Sequence, residues 1–372
     1  MTPWQHLTEP LIPLDEALAA LLDGLEPVAP SEQPISKALG SVAAEVLLPG
    51  PVPASDFAVS DGWAFCARNL VGASSYAPLP LAGPPVWVEA GDRMPDGSDC
   101  VVDFDLVEVT GSMFEVVGEA LPGQDVRRAG ADIGKGGLTI AAGRRLCVLD
   151  VMLARAAGLK KLAVRRPRLH LINIPAVAKH TVTAELIAES ARATGADVIY
   201  SRANGREAAD VAQAFDRERC DLMMTVGGTG IGRTDETVEA LTMRGAVIAH
   251  GIALQPGRTT ALGKVDHIPV IALPGAPDQA LAAWWTLALP VLDRLSGYRR
   301  HTKTLPLARK ISSSVGIVDI ALLTEVDGAW MPLAIGDLSL DPIVRADAWL
   351  AVPGSSEGFA AGTPIGAFML RG

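Results

Sequence analysis

Cysteine and histidine are scarce in this 372-residue sequence, and both are dispersed along it. The four cysteines, Cys66, Cys100, Cys147 and Cys220, form no C-x-x-C pair, and the six histidines show no ligand spacing. Zinc sites need clustered thiolates or imidazoles, and a disulfide framework needs paired cysteines, so neither is expected. We expect four reduced thiols in a cytoplasmic protein.

Long apolar runs are also lacking. The longest uncharged apolar stretch, residues 279–292, is too short to span a bilayer comfortably, so it predicts a buried helix and no membrane association. The N-terminal sequence has neither a basic segment nor a continuous apolar segment. This argues against a secretory signal and favours the cytoplasm.

Positive charge is in deficit. The sequence has 32 Lys and Arg against 42 Asp and Glu, a net charge of -10, which argues against a general nucleic-acid-binding function. Residues 155–179 are an exception, because they contain seven basic residues and no acidic one. Such runs are typical of a solvated surface, although part of this one could attract an anionic ligand.

The length and the apolar content of the chain are sufficient for several domains. At 372 residues, 49% of them hydrophobic, the chain exceeds one typical core. Helical spacing predicts a helix over residues 14–22 and a second short helix over residues 35–44. Residues 51–146 are rich in Pro and Gly with short β-branched runs, which predicts a β-rich segment, and a helix over residues 150–159 follows.

Beyond residue 168 the pattern alternates between strand and helix. Strands are predicted over residues 169–174, 197–201 and 221–226, and helices over residues 184–194, 206–218 and 235–243. The alternation indicates right-handed β-α-β units and a parallel sheet, in which ligands lie beyond the carboxyl ends of the strands. Further strands are predicted over residues 259–265 and 268–275, then a helix over residues 277–295 and short strands over residues 305–370.

The stretch VGGTGIGRTDET, residues 226–237, places Gly227, Gly228, Gly230 and Gly232 after the third of these strands. It fits the phosphate-binding P-loop pattern except at Arg233, where a lysine is required, and it fails the Rossmann fingerprint. The two motifs share a physical basis, because glycines let the backbone approach an anion closely and N–H groups at a helix start can donate to it. We therefore predict an anion-binding loop.

Thr234 is a candidate N-cap of the next helix, with Asp235 and Glu236 in its first turn. These acids could stabilise the helix dipole, or they could hold a Mg²⁺ ion that bridges to a bound anion. Both interpretations are open from the sequence. In contrast, the G-x-S-x-G pattern at residues 354–358 predicts only a turn, because a hydrolase needs a later histidine and none follows His301.

Six short motifs follow one another in a defined order and spacing. They are PASDFAVSDGWAF, VEAGDRMPDGSDCVV, DVRRAGADIGKGGLTIAAGRRL, GGTGIGRTD, LQPGRTTALG and LPGAP. They resemble the signatures of the molybdopterin molybdenumtransferase family, which includes bacterial MoeA and the gephyrin E domain. The resemblance matches Asp61, Asp132 and Asp235 to three aspartates of that family, and the chain is identified as a divergent member.

The resemblance implies a multidomain α/β fold with four parts. These are a helical linker part over residues 1–48 and 136–166, a β-rich arm over residues 49–135, a doubly wound molybdopterin-binding α/β domain over residues 167–300, and a small C-terminal β domain over residues 301–372. It also implies a homodimer in which the arm of one subunit completes the pocket of the other.

The resemblance further implies a function in molybdenum cofactor biosynthesis. Enzymes of this family insert molybdate into adenylylated molybdopterin with Mg²⁺ and release AMP, so a molybdopterin adenylyltransferase and a recipient molybdoenzyme are implied partners. Asp61, Asp132 and Asp235 would be catalytic and would bind the metal ion. The cofactor-binding residues would be Gly227, Gly228, Thr229, Gly230, Gly232, Thr234, Pro256, Gly257, Arg258, Pro274, Gly275 and Pro277.

Departures from the family pattern concern its acids and its caps. The stretch NIPAVAKHTVTAEL stands where the family has S-T-G-D-E-L and a glycine-rich loop, so two pocket acids are absent, and Lys179 or His180 is a candidate substitute. In the other departures, Ala131 replaces a Glu, Ala90 a Thr, Gln255 and Arg258 two lysines, and Ala276 the Asn that would cap the last helix. Lost acids with retained glycines leave two hypotheses, an atypical transferase or a non-catalytic homologue that binds or carries molybdopterin or the molybdenum cofactor.

Overall fold

The computed structural model describes residue 7 and residues 10–111, 113–175, 182–216 and 219–371. It confirms the predicted multidomain α/β architecture, in which helices accompany both parallel and antiparallel strands. Of the helices in these ranges, none combines the length and the apolar character that a membrane crossing needs.

The linker part opens with α1 (Leu14–Leu22), which forms where its apolar spacing predicts it. The second predicted helix, over residues 35–44, is wrong, because a 3-10 turn (Ile35–Lys37) is followed by strands. The Ala43 N–H donates to the Arg144 carbonyl at 2.8 Å, so this backbone is satisfied across a sheet and not along a helix. The strands are β1 (Ser31–Pro34), β2 (Val42–Ala43) and β3 (Val46–Leu48).

The arm consists of short antiparallel strands between turns, as its Pro-rich and Gly-rich composition predicts. The strands are β4 (Phe57–Ala58), β5 (Gly62–Phe65), β6 (Leu79–Pro80), β7 (Val86–Val88), β8 (Cys100–Val102), β9 (Val107–Thr110), β10 (Met113–Val116) and β11 (Val126–Arg127). They pair in the orders β7-β5-β8, β6-β10-β9 and β11-β4. Small apolar clusters around Val116 and around Val101 hold the arm together, separately from the main core.

The chain returns to the linker part after the arm. Strand β12 (Leu138–Ile140) pairs with β3, and β13 (Lys161–Arg165) pairs with both β1 and β2, so two distant segments form one unit. Between them, α2 (Val148–Ala156) begins two residues before its predicted start. The cause is a capping box, in which the Asp150 carboxylate accepts from the Cys147 N–H at 2.9 Å.

The α/β domain contains the strands and helices that alternate in the sequence. They are β14 (Arg168–Asn173), α3 (Thr183–Ala193), β15 (Asp197–Arg202), α4 (Ala208–Ala214), β16 (Leu222–Val226), α5 (Thr237–Arg244), β17 (Ala246–His250), β18 (Leu254–Gln255), β19 (Ala261–Val265) and β20 (Ile268–Leu273). The sheet order is β15-β14-β16-β20-β19-β17. Its first four strands are parallel, as predicted, but β19 pairs antiparallel with both β20 and β17, because a tight turn at Asp266 and His267 reverses the chain between β19 and β20. The predicted parallel sheet is therefore a mixed sheet.

Both faces of this sheet are covered by helices. Leu171 and Met224 belong to the apolar cluster that includes α1 and α3, whereas Ile172 and Met223 belong to the cluster with α4 and α5. Successive residues of a strand point to opposite faces, so this alternation buries the sheet on both sides. The doubly wound arrangement follows from that pattern.

A long helical segment begins at Pro277 and has three parts. They are α6 (Pro277–Ala283), a π-helical turn (Trp284–Ala288) and α7 (Leu289–Ser296). The predicted extent of this helix is confirmed, but the π turn within it was not predicted. Pro290 explains it, because proline has no N–H to donate to the carbonyl of Thr286, and the backbone widens just before it.

The C-terminal β domain shares its core with the α/β domain. Its elements are β21 (Thr302–Pro306), β22 (Ile311–Ser312), β23 (Val318–Val326), β24 (Ala329–Ile335), α8 (Leu340–Arg345), β25 (Ala348–Val352), β26 (Gly358–Phe359) and β27 (Pro364–Met369). The main sheet runs β18-β23-β25-β27-β21, so β18 contributes a strand to it from the preceding segment. Trp285 stacks on Trp349 and Trp349 on Phe368, with ring centroids 5.7 and 4.8 Å apart.

Candidate functional site

A cleft of about 440 Å³ lies at the carboxyl ends of β14, β16 and β20. This is the edge of the sheet at which α/β domains bind their ligands. The cleft brings together three of the six sequence motifs: the glycine loop after β16, the LQPGRTTALG stretch through Thr259, and the LPGAP stretch after β20. Of the predicted site residues, those that line it are Gly227, Gly228, Thr229, Gly230, Asp235, Pro274 and Gly275.

The glycine loop is held by the helix that follows it. The Thr237 hydroxyl donates to the Gly227 carbonyl at 2.9 Å, and the Thr237 N–H donates to the Gly228 carbonyl. Gly228 has a φ of 70°, and a Cβ there would lie 2.3 Å from Oγ1 of Thr237, so no larger residue fits. Below the loop, Nε2 of His250 lies 2.8 Å from the Thr229 carbonyl oxygen.

The Thr229 hydroxyl is a candidate hydrogen-bond donor to a ligand in the cleft. Thr229 is 1% exposed, and its hydroxyl has no hydrogen-bond partner among the residues that the structure describes. A buried hydroxyl without a partner costs about 1–3 kcal/mol. Because Thr229 also lines the cleft, a bound anion could accept from this hydroxyl and remove that cost. The glycine backbone and this donor therefore fit a negatively charged ligand.

Asp235 lies in the cleft, but it is already paired. Its Oδ1 accepts from Nη2 of Arg206 at 2.8 Å, and its Oδ2 accepts from the Gly232 N–H at 3.1 Å. Arg206 also donates to the carbonyls of Pro175 and Thr234, so it joins three loops at the edge of the sheet. Arg206 is not among the site residues predicted from the sequence. Its position just beyond the carboxyl end of β15 is the signal that could have revealed it.

The interpretation of Thr234 as an N-cap is wrong. Helix α5 begins at Thr237 with Glu236 as its N-cap, because Thr237 is tied back to the glycine loop. Thr234 is exposed, and its carbonyl accepts from Nε of Arg206. Neither predicted acid lies in the first turn of α5, since Glu236 instead accepts from the Ala208 N–H at the start of α4, at 2.7 Å. Asp235 therefore precedes α5, and Glu236 is the N-cap residue but makes no side-chain hydrogen bond to this helix.

Asp61 and Asp132 lie in the arm and are not among the described residues that line the cleft. Asp61 accepts from the Ala90 N–H at 2.8 Å, and the Asp132 carboxylate pairs with the guanidinium of Arg127. Within the described part of the chain, no three acidic, histidine or cysteine side chains are grouped to hold a metal ion. A single chain therefore does not bring Asp61, Asp132 and Asp235 together, and their meeting across a dimer stays a prediction.

The remaining predicted residues surround the cleft or support its loops. Pro256 follows a cis peptide bond, Gly257 has a φ of 118°, and Arg258 is exposed while its carbonyl accepts from the Ile252 N–H. Pro277 opens α6 as predicted, and Ala276 before it provides no side-chain cap. Lys179 and His180, the candidate substitutes for the missing acids, lie outside the described residues.

The serine of the hydrolase-like pattern is part of a turn, as predicted. The Ser356 N–H donates to the Pro353 carbonyl at 2.9 Å, and its hydroxyl donates to the Gly358 carbonyl at the same distance. No histidine follows His301 in the sequence to act as its base.

Two family models match the chain. The model described as "MoeA N-terminal region (domain I and II)" matches residues 12–158, and that described as "Probable molybdopterin binding domain" matches residues 176–294. The glycine loop, Arg206 and LPGAP all fall within the second match. The cleft is therefore formed by the region that corresponds to the binding domain.

Whole proteins match as well. A molybdopterin molybdenumtransferase of Synechococcus elongatus is 25% identical, over 87% of this chain and 90% of the relative. Molybdopterin molybdenumtransferase 2 of Mycobacterium tuberculosis is 26% identical, over 73% of this chain and 78% of the relative. The crystal structure of a molybdopterin biosynthesis MoeA protein from Pyrococcus horikoshii superimposes with a TM-score of 0.70 at 25% identity, covering 97% of this chain and 100% of that one.

The fold and the cleft thus define a multidomain α/β protein whose central domain is of the molybdopterin-binding type. The chain belongs to the molybdopterin molybdenumtransferase family, that of MoeA, as a divergent member.

Proposed function

We propose that the cleft binds molybdopterin and that the protein acts in molybdenum cofactor biosynthesis, in the cytoplasm. The proposed reaction inserts molybdate into adenylylated molybdopterin and releases AMP. The observation that carries the proposal is the buried, unpartnered Thr229 hydroxyl in a glycine-lined cleft at the carboxyl edge of the sheet. The names of the relatives, molybdopterin molybdenumtransferases, support the same reaction class.

The physical basis is recognition of the pterin phosphate. Gly227 and Gly228 leave no side chain between the backbone and the ligand, so phosphate oxygens can approach closely. Thr229 offers a hydroxyl donor, and Arg206 offers a guanidinium on the same wall. A volume of about 440 Å³ is within the range of ordinary small-molecule sites.

A Mg²⁺ ion, which the family resemblance implies, does not fit the cleft as one chain forms it. Magnesium needs oxygen ligands, and Asp235 is the carboxylate in the cleft. Both of its oxygens already accept hydrogen bonds, one of them from a guanidinium.

We also propose the homodimer that the resemblance implies, with the arm of one subunit beside the cleft of the other. Its support is an apolar surface on α2, where Val148, Leu149 and Met152 are 67%, 68% and 58% exposed on adjacent turns. Exposed apolar patches of this kind mark contact surfaces.

An enzyme that adenylylates molybdopterin would supply the substrate of the proposed reaction, and a molybdoenzyme would receive its product.

A second candidate function is that of a non-catalytic carrier of molybdopterin or of the finished cofactor. The pairing of Asp235 with Arg206 favours it, because a neutralised carboxylate contributes less to metal insertion. One assay separates the two functions. The purified protein is incubated anaerobically with adenylylated molybdopterin and molybdate, and both AMP release and retained pterin are measured. AMP release supports the transferase, and pterin retention without AMP release supports the carrier. If the protein neither releases AMP nor retains pterin, both functions are contradicted.

The cleft itself is tested with Thr229→Val. Removal of a hydroxyl that is unpartnered in the free protein should leave the melting temperature unchanged or raised, while pterin retention falls roughly tenfold or more. Thr225→Val is the matched control, because the Thr225 hydroxyl is also buried and unpartnered among the described residues but Thr225 does not line the cleft. Equal retention by both variants would rule out the proposed cleft.

A further inference from the structure

The carboxylate of Asp235 is enclosed by its own loop. A Cβ added at Gly230 would lie 2.5 Å from Oδ2 of Asp235, and one added at Gly232 would lie 2.8 Å from it. The loop therefore wraps around Oδ2, which accepts from the Gly232 N–H, while Oδ1 faces Arg206. A hydrated cation could reach this carboxylate only by displacing bonds that position the loop.

The Arg206 guanidinium lines the cleft and has N–H groups that the described residues do not use. The described residues accept from three of its five N–H groups, at Pro175, Thr234 and Asp235, which leaves two for a ligand. Its side chain is 23% exposed and that of Asp235 is 21% exposed, so salt screens this pair less than it would a surface pair. The guanidinium is thus held by three hydrogen bonds and keeps one N–H on each Nη nitrogen for an anion.

The charge around the cleft is simple. Of the described residues that line it, Arg206 and Asp235 alone are charged. The neighbouring acid, Glu236, is directed to the start of α4. In the cleft as one chain forms it, an anion therefore meets the Arg206–Asp235 ion pair, in which Arg206 supplies the positive charge.

We propose that Arg206 is the resident cation of this site, and that the phosphate of its ligand binds without a divalent metal ion. The inference rests on the proposed function, because molybdopterin is taken as the ligand. Arg206 and a divalent ion would compete for Oδ1 of Asp235 and would repel each other at contact distance. The site therefore accommodates one of them, and the hydrogen bonds favour Arg206.

The test compares molybdopterin retention in EDTA and in Mg²⁺, using the intact protein under anaerobic conditions. Retained pterin is measured after ultrafiltration, by its fluorescence once oxidised. The wild-type protein should retain the same amount in both buffers. Retention that requires Mg²⁺ overturns the inference and leaves the proposed function standing. Failure to retain pterin in either buffer overturns both.

Two variants show whether Arg206 is the cation. Arg206→Gln should lower retention in EDTA roughly tenfold or more, and Mg²⁺ should recover part of it, because the Asp235 carboxylate becomes available. Arg206→Lys keeps the charge, so its retention, although weaker, should not respond to Mg²⁺. Arg202→Gln is the matched control, since Arg202 is exposed at the end of β15 and does not line the cleft. Wild-type retention by Arg206→Gln in EDTA overturns the inference.

Discussion

The free cysteine thiols differ in reactivity because the fold buries some of them and exposes others. Cys147 is exposed at the start of α2, whereas Cys100 is buried in β8, where its thiol lies 3.4 Å from the Phe65 carbonyl oxygen. Burial, assisted by the charge of Asp99, raises the pKa of the Cys100 thiol to about 11. The thiolate is the nucleophile, so Cys100 should be inert near neutral pH.

We expect a maleimide to label native Cys147 quickly at neutral pH and to leave Cys100 unlabelled until the protein is unfolded. Mass spectrometry of the peptides, from native and from denatured samples, measures both sites in one experiment. Because the folded pKa of Cys100 is raised, higher pH should favour its labelling only as the pH approaches that value. Similar labelling rates for the two cysteines in the native state would contradict the burial of Cys100.

At the cleft, the sequence was sufficient to predict Asp235 and most of the glycine loop, but not the partner of Asp235. The glycines and the aspartate form a local pattern, which can be identified along the chain. Arg206 is 29 residues away from Asp235, and the two meet only because β15, β14 and β16 lie side by side. The position of Arg206 after a predicted strand could have marked it as near the site, but its pairing with Asp235 is set by strand order, which neither segment reveals alone.

Among the elements, local patterns predicted those with helical spacing or a continuous apolar run, and they failed at residues 35–44, where helical spacing occurs without a long helix. Helix α1 and strands β14 to β16 appear where their apolar spacing places them, to within a residue or so. Residues 35–44 carry helix-compatible spacing, yet they pair with residues beyond 140, which no local pattern reveals. The π turn likewise depends on Pro290 within an otherwise regular helix.

The junction of the glycine loop with α5 makes a prediction at the element scale. Thr237→Val removes the hydroxyl that donates to the Gly227 carbonyl while keeping the shape of the side chain. Thr237 is fully buried, so the free energy of unfolding should fall by about 1–2 kcal/mol, and pterin retention should weaken as the loop loosens. Urea unfolding and the retention assay measure the two effects.

Thr242→Val is the control for this substitution. Its hydroxyl donates within α5 to the Val238 carbonyl at 3.0 Å, on the exposed side of the same helix. We expect almost no change in either measurement. If Thr242→Val destabilised the protein as much as Thr237→Val, the helix and not the loop junction would account for the effect.

For the whole molecule, the apolar surface of α2 predicts how subunits associate. Met152→Glu places a charge within the surface formed by Val148, Leu149 and Met152, and we expect it to shift the protein from dimer to monomer. Light scattering after size exclusion measures the mass directly. Met243→Glu is the matched control, because Met243 on α5 is equally exposed, at 58%, and lies outside that surface. A wild-type monomer, or dimers of both variants, would contradict the proposed interface.

The helical segment from Pro277 to Ser296 has a consequence for how this chain can be divided. At its start, Ala276 and Gln279 form part of the cleft wall, and further along the same segment Trp285 stacks on Trp349 of the C-terminal domain. Strand β18 is likewise shared with the sheet of that domain. A fragment that ends at residue 300 would leave an indole and a strand edge facing water beside the binding wall. The α/β domain is therefore not an independent unit: a truncated or recombined chain cut at this boundary has to keep the C-terminal surfaces that pack against it.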